Sequence, residues 1–135
     1  MAATLQLKDV KSKKIPHLEK NISAYGAAQV MIRDDATTVA VLDGNVIAGT
    51  VCERDIISKV VLQGRDPRTT TLGEIMEKDV HYIDAQKTTV DAARMMRDLR
   101  VSMIIVTENK QARGTITAMD IVDMYPALQL RLGGQ

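Results

Sequence analysis

The sequence states one pattern twice. Residues 49–57 read GTVCERDII and residues 114–122 read GTITAMDIV, and the offset of 65 residues between them holds without a gap well outside the phrase. At that shift Leu7 falls on Leu72, Ala27 and Ala28 on Ala92 and Ala93, Met31 on Met96, Val41 on Val106, and Asp55 on Asp120. The period is too long for the usual solenoid repeats and two copies are too few for an array, so the chain reads as a tandem pair of small units. We place the first repeat at 1–66, with an N-terminal lead-in, and the second at 67–135, ending in a C-terminal helix.

Each half predicts the same element order. Residues 15–18 and 80–83 are brief extended segments, the first carrying Pro16, whose missing N–H suits an edge or irregular strand. Two helices follow, over roughly 23–34 and 88–100, with Ser23 and Thr88 as N-caps. In the second, Ala92, Met95, Met96 and Leu99 recur at i, i+3, i+4 and i+7, a stripe for one buried face. The β-branched apolar runs 38–42 and 103–107 predict strands buried on both faces. Asp43-Gly44 predicts a type I′ hairpin turn, with Asn109-Lys110 in the same place in the second copy. The next strand ends in the repeated phrase, and a helix over about 53–63 should bury Ile56, Ile57, Val60 and Val61 and stop at Gly64. Its counterpart, from about Met119, should bend or end before Pro126. Thr71-Leu-Gly-Glu74 has the spacing of a capping box and predicts a short helical turn in the second repeat's lead-in.

Composition narrows the function classes. A net charge of +1 gives none of the basic excess of nucleic-acid binders, and the absence of Phe and Trp removes the platforms on which single-stranded bases stack. The core must be aliphatic, with many of the eight Met residues filling gaps. The sequence contains neither an apolar run near 18 residues nor an apolar secretory start, so no membrane role is expected and the default compartment is the cytoplasm. The single Cys52 has no Cys or His nearby at metal-ligand spacing. There is no P-loop, no base-oriented nucleophile and no metal cluster, so neither catalytic nor metal-ligating residues are assigned.

A β-α-β-β-α unit of this length, duplicated and ending each time in Gly-x-x-x-x-x-Asp, resembles the CBS-domain pair, or Bateman module. The resemblance runs from about Leu7 to Tyr125. RVSMIIV at 100–106 is similar to the family's second strand, and ERDIISKVVLQGRD at 53–66 followed by LGEIM resembles the small stand-alone CBS-pair proteins of bacteria, archaea and plant organelles. The resemblance implies an α+β fold of two repeats packed sheet to sheet about a pseudo-twofold axis. It also implies clefts that bind an adenosyl ligand: AMP, ADP, ATP, S-adenosylmethionine or a dinucleotide. One cleft would gather Thr37, Cys52, Arg54 and Asp55 with His81, Tyr82, Val101 and Ser102. The other would gather Thr117, Met119, Asp120 and Ser102 with Pro16, His17, Ala36 and Thr37. No cofactor is implied beyond that ligand; the implied partners are a second copy, in a flat homodimer, and a regulated protein.

The chemistry fits the residues. A carboxylate accepts hydrogen bonds from both ribose hydroxyls, each charged bond giving about 1.5–3 kcal/mol, and an apolar strand end such as Val101 flanks a base. A blander role stands beside it: Asp55 and Asp120 as first-turn acids that complement the helix dipole. Cys52 stands where the family usually has Ser or Thr, and Met119 replaces a frequently polar position. These two departures favour the alternative function, a structural dimerisation or partner-docking module whose clefts are unused. On the ligand-binding reading, Cys52 with Arg54 and Thr117 with Met119 make unequal sites, so unequal affinities with one cleft preferred are expected.

Overall fold

The computed structural model describes residues 5–10 and 15–124. They fall into two compact units, one from Lys14–His81 and one combining Met1–Lys13 with Tyr82–Gln135. The unit boundary is therefore offset from the sequence repeat in an informative way, because each repeat's lead-in packs with the other repeat's sheet.

In the unit from Lys14–His81, β1 (His17–Glu19) runs parallel to β2 (Thr38–Asp43), and β2 pairs antiparallel with β3 (Val46–Cys52). Between the first two strands lies α1 (Ala24–Asp34), capped by Ser23, whose hydroxyl accepts from the Gly26 N–H at 3.0 Å. The helix buries Ala24, Ala27 and Met31 in a cluster with Val39 and Val41 of β2 and Val51 of β3. After β3 comes α2 (Glu53–Ile56), continued by a π-turn over Ile57–Val61. Finally α3 (Leu72–Ile75), the lead-in of the second repeat, inserts Leu72 and Ile75 into the same core. A fully buried leucine contributes about 1.5–3 kcal/mol, so this plug is a main element of the unit.

The other unit repeats the plan. Here β4 (Tyr82–Asp84) is parallel to β5 (Met103–Glu108), which pairs antiparallel with β6 (Gln111–Thr117). Helix α4 (Thr89–Leu99) precedes β5, and α5 (Ala118–Asp123) follows β6. A 3-10 turn over Leu7–Asp9 from the chain's start supplies the plug: Leu7 is buried with Ile83, Ala92, Met96, Ile104, Val106 and Ile116. Backbone bonds hold it, with the Leu7 N–H donating to the Lys87 carbonyl and the Thr89 N–H to the Leu5 carbonyl.

Several sequence expectations shift. The short strands begin two residues later than expected, because Pro16 contributes its carbonyl to the Ala40 N–H from just before β1. The first hairpin turn is Gly44-Asn45, between the paired Asp43 and Val46. Only Gly44 has a positive φ there, the pattern of a type II′ turn, whereas Asn109 and Lys110 are both positive, as a type I′ turn requires. The helix expected over 53–63 is broken by the π-turn, and it buries only Val60 fully, with Ile56 half-buried. Ile57 and Val61 are exposed. Four residues at i, i+1, i+4 and i+5 cover too wide an arc for the one sheet beneath them. Leu99, the last residue of α4, is likewise exposed. The expected bend before Pro126 lies outside the described residues.

Capping boxes recur throughout. Thr71 with Glu74, Thr88 with Asp91, Thr117 with Asp120, and Cys52 with Asp55 each start a helix with an acid at the third position. The Asp91 carboxyl is held below the ordinary value of 3.8, first by the Thr88 backbone N–H and then by its hydroxyl. A carboxylate depressed in the folded state adds stability that is full above its unfolded pKa and is lost as pH falls through the folded one. Asp91→Asn is therefore expected to lower the melting temperature at pH 7 and to leave it unchanged once pH drops below the depressed value. An equal loss at both pH values would contradict that assignment.

Candidate functional site

The candidate sites are the two turns where β3 and β6 run into their helices. In the first, the Cys52 N–H donates to Asp55 Oδ2 at 2.9 Å, and the carbonyl of Thr37, from the loop after α1, accepts from the Glu53 N–H at 3.1 Å. In the second, the Thr117 N–H donates to Asp120 Oδ2 at 2.9 Å, and the Ser102 carbonyl accepts from the Ala118 N–H at 2.9 Å. The same two hooks thus hold each turn, one of them on the aspartate itself, at positions related by the sequence offset. Each aspartate is the N3 residue of its helix, so the blander first-turn role is present in the structure. It uses one carboxylate oxygen and leaves the other to be accounted for.

That second oxygen separates the turns. Asp55 Oδ1 lies 3.1 Å from Lys59 Nζ, and its side chain is only 15% exposed. The same ammonium donates to the Ile75 carbonyl at 2.9 Å, joining the turn to α3. The residue aligned with Lys59 is Met124, and Asp120 Oδ1 has no partner among the described residues. Sequence reading missed Lys59, although its i,i+4 spacing from Asp55 is a legible pairing signal.

The cap residues differ too. The Thr117 hydroxyl accepts from the Asp120 N–H at 3.0 Å, whereas Cys52 presents a thiol, a weak acceptor, at the matching place. Burial pushes the Cys52 thiol above its usual pKa, with the Asp55 carboxylate adding to the rise, so the group is a neutral thiol at pH 7. Cys52→Thr is expected to raise stability by about 1 kcal/mol, the usual worth of a good N-cap oxygen. Chemical denaturation would show it as a higher midpoint, and an unchanged or lower one would contradict the cap assignment.

The remaining sequence candidates sit as follows. Arg54 and Met119, the second residues of their helices, are exposed, and Arg54 makes no ion pair among the described residues. In the unit from Lys14–His81, Ala36 and Thr37 form the exit of α1, while Pro16 and His17 join the sheet at Ala40 and make no described hydrogen bond to the Asp55 turn. His81 closes that unit and is half-buried. In the other unit Tyr82 is an exposed residue of β4 paired with Ile105, and Val101 and Ser102 form the exit of α4, next to the Asp120 turn. Among the described residues no group of three or more His, Cys, Asp or Glu side chains is placed to hold a metal ion, and no helix is long and apolar enough to cross a membrane.

Two α+β units, each a three-stranded sheet with helices and each carrying a matched aspartate turn after the last strand of its sheet, define a duplicated CBS-type module. The chain belongs to the CBS-domain family: the CBS domain model matches residues 7–62 and 72–127. CBS-pair proteins are generally regulatory, non-catalytic modules. A putative signal-transduction protein with CBS domains from Burkholderia ambifaria MC40-6 superposes with a TM-score of 0.83 at 30% identity, over 98% of this chain and 100% of that one. Hypoxic response protein 1 of Mycobacterium tuberculosis is 25% identical over 88% of this chain and 84% of its own length. The CBS domain pair of protein MJ0100, solved in complex with 5′-methylthioadenosine and S-adenosyl-L-methionine, has a TM-score of 0.80 at 23% identity, over 93% of this chain and 98% of that one.

Proposed function

We propose that this chain is a non-catalytic sensor that binds an adenosyl ligand, either an adenine nucleotide (AMP, ADP or ATP) or S-adenosylmethionine, at its aspartate turns. The observation that carries the reading is the Asp120 carboxylate, fixed by the Thr117 N–H through one oxygen and left with the other oxygen unpartnered among the described residues. A carboxylate held in that way is ready for a ribose diol without rearrangement. The adenosyl complex of MJ0100 supports the ligand class. In this reading Asp55 and Asp120 take the ribose hydroxyls, Val101 flanks adenine, Arg54 and Thr117 are further donors, and Thr37 and Ser102 bond through their backbones. His81, His17, Pro16 and Ala36 in the unit from Lys14–His81, and Tyr82 in the other unit, are the remaining candidate contacts. The module works in the cytoplasm as a homodimer, and ligand binding alters its contact with a regulated protein. Calorimetric titration with AMP, ADP, ATP and S-adenosylmethionine at millimolar ligand tests this. Saturable heat with at least one is expected, and none with all four contradicts it.

A second reading has its own observation. Asp55 is already engaged by Lys59, and apolar side chains on α1 and after α2 stand in solvent, with Ile32 85% and Leu62 74% exposed. On this reading the chain is a docking or dimerisation module with unused ligand sites. A melting temperature constant across nucleotides, together with a concentration-dependent dimer in sedimentation, favours it over the sensor.

A further inference from the structure

We infer that Lys59 sorts ligands by charge, so that the Asp55 turn takes a phosphate-bearing adenosyl group and the Asp120 turn a neutral or cationic one. The inference rests on the adenosyl reading and divides it between the two turns. Over residues 53–59, the acids Glu53 and Asp55 are balanced by the bases Arg54 and Lys59. Over the aligned residues 118–124 stand Asp120 and Asp123 with no base at all.

Geometry makes the difference local. An ammonium has three N–H donors, and Lys59 spends two of them, on Asp55 Oδ1 at 3.1 Å and on the Ile75 carbonyl at 2.9 Å. Its side chain is 38% exposed, so the ammonium can still be reached from solvent. Held at two points, the ammonium sits beside Asp55, offsets its carboxylate charge and favours an anion beside the ribose. A cationic sulfonium would meet repulsion there from both Lys59 and Arg54. At the Asp120 turn the charges reverse: a carboxylate oxygen unpartnered among the described residues and a second acid favour a sulfonium and oppose a phosphate. With Cys52 and Thr117 both short side chains at the cap, charge rather than size distinguishes the two turns.

Lys59→Met, which copies Met124 into the first repeat, and Met124→Lys, which does the reverse, test it by calorimetry on the full chain with AMP and S-adenosylmethionine as the probes. Loss of one charged hydrogen bond corresponds to about a tenfold or larger change in affinity. Lys59→Met is expected to weaken AMP by that factor and to leave S-adenosylmethionine unchanged or tighter. Met124→Lys is expected to weaken S-adenosylmethionine instead. Equal weakening of both probes by Lys59→Met, or no change in either, overturns the charge sorting while leaving adenosyl binding in place. Parent protein that binds neither probe overturns the charge sorting, and only if ADP and ATP also give no heat does the adenosyl reading fall with it. Circular dichroism of the two variants separates a failure to fold from a change in preference, and a folded Met124→Lys chain that keeps the parent's ligand order also counts against the inference.

Discussion

An Asp120→Asn chain is expected to bind its adenosyl ligand about ten- to a hundredfold more weakly, the worth of a charged hydrogen bond to ribose, while remaining folded. The asparagine oxygen can still accept from the Thr117 N–H, so the box that starts α5 survives. What disappears is the negative charge and the acceptor capacity of the second oxygen. Asp91→Asn is the matched control, because Asp91 occupies the same N3 place in α4 and has no part in the proposed site. If both substitutions lower stability slightly and only Asp120→Asn lowers affinity, the first-turn role and the ligand role are separated. An unchanged affinity in Asp120→Asn would return Asp120 to a helix cap and nothing more.

Gly49→Ala is expected to be the most destabilising small substitution in the repeated phrase, by about 1–3 kcal/mol, the usual cost of overpacking. A Cβ on Gly49 would come within 2.7 Å of the Glu77 carbonyl oxygen and 2.8 Å of Met76 Sδ. The methionine can turn aside, but the carbonyl cannot. It is held by the adjacent pair of backbone bonds in which the Thr50 N–H donates to Glu77 at 3.0 Å and the Glu77 N–H donates to Thr50 at 2.8 Å. Relieving the clash would pull the segment after α3 away from β3 and loosen the Leu72 plug with it. Gly49 is therefore required by close approach of another backbone rather than by a tight turn. Urea denaturation with a midpoint equal to the parent's would contradict this.

The duplication carried most of the fold in the sequence. Once 49–57 and 114–122 are aligned, both sheets, both long helices and the Asp turns follow, because an amphipathic period and buried β-branched runs are local signals. What local signals do not encode is which core a segment joins. Leu7 and Leu72 look alike in sequence, yet each is buried with strands of the other repeat, a choice made by chain connectivity and packing. Ile57 and Val61 stand in solvent for a related reason: apolar type does not reveal which arc of a helix faces the sheet, and the π-turn rotates that arc. At the site, Asp55 and Asp120 were legible from recurrence alone. Their inequality was only half legible, through Cys52 and Met119. A further difference, the Lys59 ammonium on Asp55, is signalled by the i,i+4 spacing, and only its second bond, to the Ile75 carbonyl, needed the fold.

A crystal structure of the chain grown with an excess of S-adenosylmethionine or 5′-methylthioadenosine examines the proposed sensor most directly. The account predicts ribose hydroxyls on Asp120 Oδ1, with Oδ2 still bonded to the Thr117 N–H and the Lys59–Asp55 pair intact. Ligand bound away from both aspartate turns, or none at saturating concentration of these and of AMP, ADP and ATP alike, would contradict it.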